Sequence, residues 1–219
     1  MAGPSEYVVG KGVVSVRSFA ATPQLWVATT AVLVGQTLFT AAGAVYNVVT
    51  AGTTSSTAPT ATTSTVTDGT ATLAYSDWSA VGNCPKFEWK PDVKTLDHYT
   101  SQSFAMTQDA KVPTQIGGKL SLVTDEITIA NLGIFAMGTP TGSVGSQSVD
   151  ILSKSGWQGA VKCVGTNSIG KRKQWTFNNV LFIPDKAVSV IDTKFMELEL
   201  AGDTLIDPNG KFGTVLEIA

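Results

Sequence analysis

Ser64-Thr65-Val66-Thr67-Asp68-Gly69-Thr70-Ala71-Thr72-Leu73-Ala74-Tyr75 is the stretch on which the reading of the fold turns. Two runs rich in β-branched and aromatic residues flank Asp68-Gly69, a pair that favours a tight hairpin because glycine takes a positive φ without steric penalty. By composition alone, the surrounding residues 50–72 read as a flexible Thr/Ser tether with turn formers at Gly52, Pro59 and Asp68-Gly69. The hairpin signal, with further strand-like pieces at 25–30, 32–34, 37–39 and 45–49, reads instead as a small all-β module over residues 23–78.

Outward from the module, charge marks the organisation. Between Arg17 and Lys86 the only charged residues are Asp68 and Asp77, whereas residues 86–98 mix both signs densely. A core built from residues 1–22 and 79–219, interrupted by the module, follows from that change. The chain has 219 residues, 43% of them apolar and 15% charged, which suffices for one large or two small packed units and excludes general disorder. Fifteen Lys and Arg against 17 Asp and Glu give a net charge of -2, so no overall basic surface suits sequence-specific DNA binding. The start, Met-Ala-Gly-Pro-Ser-Glu-Tyr, has no basic region ahead of an apolar run, and residues 25–39 are broken by Thr and Gly. Synthesis in a cytoplasm, with no secretory signal and no membrane segment, is the expectation.

The core pieces read mainly as strands. Residues 7–19 carry Val8, Val9, Val13, Val14 and Val16 around Gly10 and Gly12, a strand with a bend. Residues 87–89, 118–124, 148–152, 159–165, 173–182, 189–192, 195–201 and 211–218 are further strand candidates. In 195–201 the period of two puts Phe195, Glu197 and Glu199 on one face and Met196, Leu198 and Leu200 on the other. One helix is expected after Thr124 or Asp125 as N-cap, with Glu126 at its positive end, Ile127, Ala130, Leu132, Ile134 and Phe135 to Met137 on its apolar face, and Gly138 as its stop.

Chemistry-bearing residues are sparse. His98 is the single histidine and Cys84 and Cys163 the two cysteines, too few for an all-protein zinc site or a disulfide framework, although one pairing stays open. No nucleophile elbow, zinc-protease or phosphate-loop motif is present. Asp125-Glu126 fits helix capping better than paired catalytic carboxylates, and both cysteines fit small packed hydrophobes, having only Lys86 and Lys162 nearby in sequence. Lys171-Arg172-Lys173 reads as a solvated turn. No catalytic residue, cofactor or metal ligand is expected.

The stretch from Gly82-Asn83-Cys84-Pro85 through Lys86-Phe87-Glu88-Trp89 to Leu96-Asp97-His98-Tyr99-Thr100-Ser101 resembles an early segment of the major tail tube proteins of long-tailed, siphovirus-like bacteriophages. Asp125-Glu126-Ile127-Thr128 leading to Asn131-Leu132, Phe182-Ile183-Pro184-Asp185 and Gly210-Lys211-Phe212-Gly213-Thr214 are similar to later segments of that family. The module resembles the small Ig-like or carbohydrate-binding-like β inserts of phage structural proteins through Trp26, Gly35, Val45-Tyr46, Gly52-Thr53-Thr54, Pro59 and Val66 to Ala71, with Leu73 where an aromatic is usual.

The resemblance implies a mainly β, sandwich or barrel-like core with one helix, carrying the module on the outside of a tube. It implies homohexameric rings that stack into a virion tail tube, made in the bacterial host cytoplasm. The implied partners are further copies of the chain, a tape measure protein, tail tip and terminator proteins, and double-stranded DNA that passes without specific binding. Glu88, Asp92, Glu197 and Glu199 are the candidate lumen-facing carboxylates, since negative charge repels phosphate. Asp97, His98, Tyr99, Ser101 and Phe104 are candidate inter-ring contacts, because residues 92–111 read as a segment too long and polar for a hairpin turn; residues 1–7 are the second such element. Two rivals make different demands. A carbohydrate-binding adhesin needs Trp26, Tyr46, Tyr75 and Trp78 as an exposed surface platform, and a hydrolase needs His98 to act with Asp97.

Overall fold

A computed structural model describes residues 12–100, 106–166, 171–191, 193 and 195–218. The elements, in chain order, are β1 (Gly12–Ser18), β2 (Pro23–Leu25), β3 (Ala31–Val32), β4 (Thr37–Phe39), β5 (Val45–Thr50), β6 (Gly52–Thr53), β7 (Thr65–Asp68), β8 (Ala71–Tyr75) and β9 (Ser79–Gly82). They continue with β10 (Lys86–Thr100), β11 (Thr107–Thr124), α1 (Ile129–Phe135), β12 (Pro140–Ser143), β13 (Ser146–Val149), β14 (Trp157–Gly165), β15 (Arg172–Phe182), β16 (Leu198–Thr204) and β17 (Gly213–Ile218). The fold is mainly β and sandwich-like, with one helix among the described residues.

The largest sheet runs β10-β11-β16-β15-β14-β1-β9, and β17 shares the β16 side of β15. That edge is divided: residues 180–182 of β15 pair β16, while Arg172 to Phe177 pair β17. Alternation then selects the inner face. Val14 and Val16 of β1, Leu120 and Leu122 of β11, Val161 of β14, Phe177 of β15 and Leu200 of β16 all point into one buried cluster. The sheet curls on itself, since Phe87 of β10 lies 6.2 Å from Phe177, ring centre to ring centre.

Strands β2, β4, β5, β8 and β7 form a second sheet and β3 with β6 a short third; β9 returns to pair β1. The Thr-rich stretch is therefore folded, with Thr54 and Asp68 buried. The hairpin turn is shifted by one residue from Asp68-Gly69: Asp68 pairs Ala71, so Gly69-Thr70 form the turn, with Gly69 at φ +65°. Asp68 instead turns inward, where its carboxylate accepts from the Trp26 indole at 2.7 Å and from the Ser55 amide at 3.0 Å. The module packs on the core rather than hanging from it, because Phe39, Val45 and Trp78 cluster with Phe19 and Ala160. Arg17 completes that junction, donating to the Tyr75 hydroxyl at 2.8 Å and lying 4.5 Å from the Trp78 ring centre, on which Lys162 also sits at 4.5 Å.

The helix starts later than expected. Thr128, not Thr124 or Asp125, is the N-cap and accepts from the Asn131 amide. Asp125 and Glu126 are spent elsewhere: Asp125 accepts from the Asn83 side chain at 2.6 Å and Glu126 from the Asn83 amide at 3.0 Å. Buried Asn131 ties the helix to the same corner through Val81 O and Glu126 O. At the other end Met137, at φ +50°, takes the left-handed position, with Gly138 N bonded to Gly133 O and Met137 N to Ile134 O. Gly138 is required for a different reason, since a Cβ there would lie 2.3 Å from Asp150 O. Residues 189–191 form no strand, β16 begins at Leu198 rather than Phe195, and β12 with β13 is a hairpin that the sequence reading did not separate.

Candidate functional site

Residues 92–100 and 107–111 are not a loop. They belong to β10 and β11, which pair from Lys86 opposite Val123 to Thr100 opposite Thr107. β16 borders β11 only from Gly118 to Thr124, so among the described strands the distal halves of β10 and β11 pair with each other. They project from the sheet as a two-stranded ribbon. Two bulges, at Thr114 and Asp109 of β11, add one residue each and increase its twist. Ser101 and Phe104 lie outside the described residues.

The ribbon carries apolar side chains on both faces. Val93 and Ile116 form a cross-strand pair on one face, Leu96 and Val112 on the other, and all four are about half exposed or more. Tyr99 is also exposed. Between them lie a hydrogen bond, His98 Nδ1 to Asp109 Oδ1 at 2.6 Å, and an ion pair, Lys111 Nζ 3.7 Å from Asp97 Oδ1. Asp97 and His98, being adjacent, point to opposite faces, so the dyad a hydrolase would require is not formed. His98 has Asp109 as its partner instead.

The candidate carboxylates divide by position. Glu88 on β10 and Glu199 on β16 share the sheet's outer face, opposite Phe87 and Leu200, and Glu199 accepts from Ser121 at 3.5 Å. Asp92 lies at the base of the ribbon, beside a cavity also lined by Ile116, Ile206 and Phe212. Glu197 is exposed just ahead of β16. Around Glu88 the outer face is not acidic, whereas the cavity at Glu197 and Glu199 has no lysine among the described residues of its lining. The first cavity, of about 340 Å³, is lined by Glu88, Asp185 and Asp203 and, in equal number, by Lys90, Lys119 and Lys186. Glu88 is paired with Lys86 at 3.0 Å and Asp203 with Lys119 at 3.7 Å.

The module aromatics do not form a surface platform. Tyr46 is fully buried and donates to Ala61 O at 2.6 Å; burial first, then Tyr75 and Asp68, pushes its hydroxyl above the usual range. Trp26 packs against the module core with its N–H on Asp68, Tyr75 receives Arg17, and Trp78 is held between Arg17 and Lys162. Burial lowers the Arg17 and Lys162 pKa values, and burial raises those of the Cys84 and Cys163 thiols, which are half-buried against the core.

Sequence reasoning missed a pair of exposed tryptophans. Trp89 of β10 and Trp175 of β15 stand 6.3 Å apart at the open end of the inner face, over a third exposed each. The available signal was Trp89 following Phe87 at strand spacing, while Trp175 lies 86 residues away in sequence. No protein-family model matches the chain, and no curated protein matches it.

Proposed function

We propose that the chain is a structural subunit that polymerises into a hollow tube, of the kind built by the major tail tube proteins that its motifs resemble. The observation that carries this reading is the projecting ribbon. An isolated two-stranded hairpin is marginal in water, and this one exposes apolar pairs on both faces, so it gains stability by seating against another copy. Stacked homohexameric rings in a virion tail provide such seats, with Asp97, His98 and Tyr99 at the contact. Among the described residues β10 is an edge strand of the large sheet, and Pro91 and its lysines protect it from unspecific pairing in the monomer.

The module belongs on the outside of such a tube, since its bulk would block a lumen. Glu88, Asp92, Glu197 and Glu199 stay the lumen candidates, but the lysines beside Glu88 change the argument. A passing polyanion would slide over mixed charges, in which Lys86 and Lys119 are already paired with Glu88 and Asp203, rather than over a field of negative charge alone. Tape measure, tip and terminator proteins are the partners that go with this reading, and DNA passes without specific binding.

Sedimentation velocity and negative-stain electron microscopy test the proposal. Rings or hollow tubes of uniform diameter are expected from the native chain at high concentration, and the Leu96→Ser/Val112→Ser variant should stay monomeric with unchanged circular dichroism. A native chain that remains monomeric at every concentration, or a ribbon variant that assembles as well as the native chain, overturns it.

A further inference from the structure

Arg17 and Lys162 are neighbouring cations at the junction of core and module. Val14 and Val16 turn into the core, so Ser15 and Arg17 leave the opposite face of β1, and Lys162 of β14, paired with Ser15, shares that face. Both cations stand 4.5 Å from the Trp78 ring centre. Among the described residues no ion pair includes either of them. Arg17 is 6% exposed, donates to the neutral Tyr75 hydroxyl, and has a buried Nε with no partner. Asp77 is the carboxylate whose field reaches both cations, but it is exposed and its Oδ1 accepts from the Trp78 amide. Burial first, then the charge of Arg17, lowers the Lys162 pKa. A charge taken out of water is costly unless opposite charge meets it.

We infer that this junction is a binding site for a small tetrahedral oxyanion, inorganic phosphate being the type. One such ion neutralises both cations and offers acceptors in several directions, for the Arg17 Nη groups, the Lys162 ammonium and the Ser15 hydroxyl, which has no partner among the described residues. Bound there, it ties β1 and β14 of the core to Tyr75 and Trp78 at the end of the module. The burial of Arg17 sets the size of the ligand: a free ion has no substituents to place, whereas a phosphodiester carries a nucleoside on either side and would meet Tyr75 and Trp78. The net charge of -2 gives a nucleic acid no wider basic field to follow. This inference does not rest on the tube reading, because every group belongs to one copy.

Nitrogen-edited NMR of the full chain, kept dilute enough to be monomeric, tests it with inorganic phosphate as the probe. At neutral pH, with sodium chloride adjusted to hold the ionic strength constant, the Arg17 Nε–H and Trp78 indole signals should move together along one saturating curve, with a Kd on the order of 1 mM. Lys162→Gln should weaken binding at least about tenfold, and Arg17→Met should abolish the Trp78 shift. The indole of Trp157, buried in the core, should stay in place and reports that the fold is intact. Shifts that grow without saturating, that chloride reproduces, or that keep their native midpoint in Lys162→Gln overturn the inference and leave an adventitious ion only. A double-stranded oligonucleotide that moves the same two signals at a lower phosphate concentration than the free ion also overturns it, by assigning the site to nucleic acid. The Leu96→Ser/Val112→Ser variant should bind phosphate as the native chain does, which keeps this readout separate from assembly.

Discussion

Replacing Asp68 by alanine should unfold the module's turn region, and the size of the effect follows from two bonds. The carboxylate is 2% exposed and accepts from the Trp26 indole and the Ser55 amide, at 2.7 and 3.0 Å. Bonds to a charged acceptor contribute about 1.5–3 kcal/mol each, and their removal leaves a ring N–H and a backbone N–H without partners. Asp68→Ala should therefore cost about 4 kcal/mol, or a fall of about 8–16 °C in Tm for a chain of this length. Asp68→Asn keeps one acceptor for Ser55 but turns an NH₂ toward the Trp26 N–H, so about half that cost is expected. Trp26→Phe removes the donor on the other side, and in the double variant with Asp68→Ala the costs should fall short of their sum by about 1.5 kcal/mol or more. Urea unfolding of the four proteins supplies these numbers. A cost below about 1 kcal/mol for Asp68→Ala, or additive costs in the cycle, would refute the claim that this carboxylate organises the module.

Gly69→Ala should destabilise by about 2–4 kcal/mol, since φ is +65° and the new Cβ would press on Thr53 O, Thr54 C and Ser55 N, all backbone atoms; Tm measurement decides. Arg17→Met should be milder than Arg17→Ala by about 1 kcal/mol or more in urea unfolding, because the methionine fills the space under Trp78 without a charge whose Nε has no partner. Glu217 is held near a pKa of about 2 by hydrogen bonds from Lys171 and Lys173, below the ordinary 4.5. Its share of stability is thus present above about pH 4.5 and is lost as pH falls toward 2, and a carboxyl NMR titration should move its midpoint up in Lys171→Gln/Lys173→Gln and in high salt.

Much of the architecture was legible because strand chemistry is local. The hairpin around Gly69, the alternation that buries Leu198 and Leu200, and the strand at Thr37–Phe39 all follow from neighbours in sequence. What escaped was long-range. Asp125 and Glu126 looked like cap residues because a cap needs only a short polar side chain before a helix, whereas their bonds to Asn83 join positions more than 40 residues apart. The ribbon was hidden for a physical reason of another kind. A strand exposed on both faces buries no stripe, so its sequence mixes charges with Val93, Leu96 and Val112 and imitates a polar loop.

The same lack of an inward stripe links the ribbon to assembly. Hydrophobic patterning records what a chain buries by itself, and β1, β11 and β16 carry a clear record of that kind in Val14, Leu120 and Leu200. Residues 92–100 and 107–117 keep the strand geometry over nine and eleven positions with no core beneath them. Extended backbone held without burial is costly in conformational entropy, and among the described residues cross-strand bonds, the His98–Asp109 hydrogen bond and the exposed Lys111–Asp97 ion pair offset it. On the proposed reading the remaining stabilisation comes from surfaces outside the single chain, and two such surfaces rather than one would meet the apolar pairs on both sides of the ribbon. A stacked ring supplies two neighbours to a projecting arm, whereas a single dimer partner supplies one, and that difference is why the ribbon argues for a polymer.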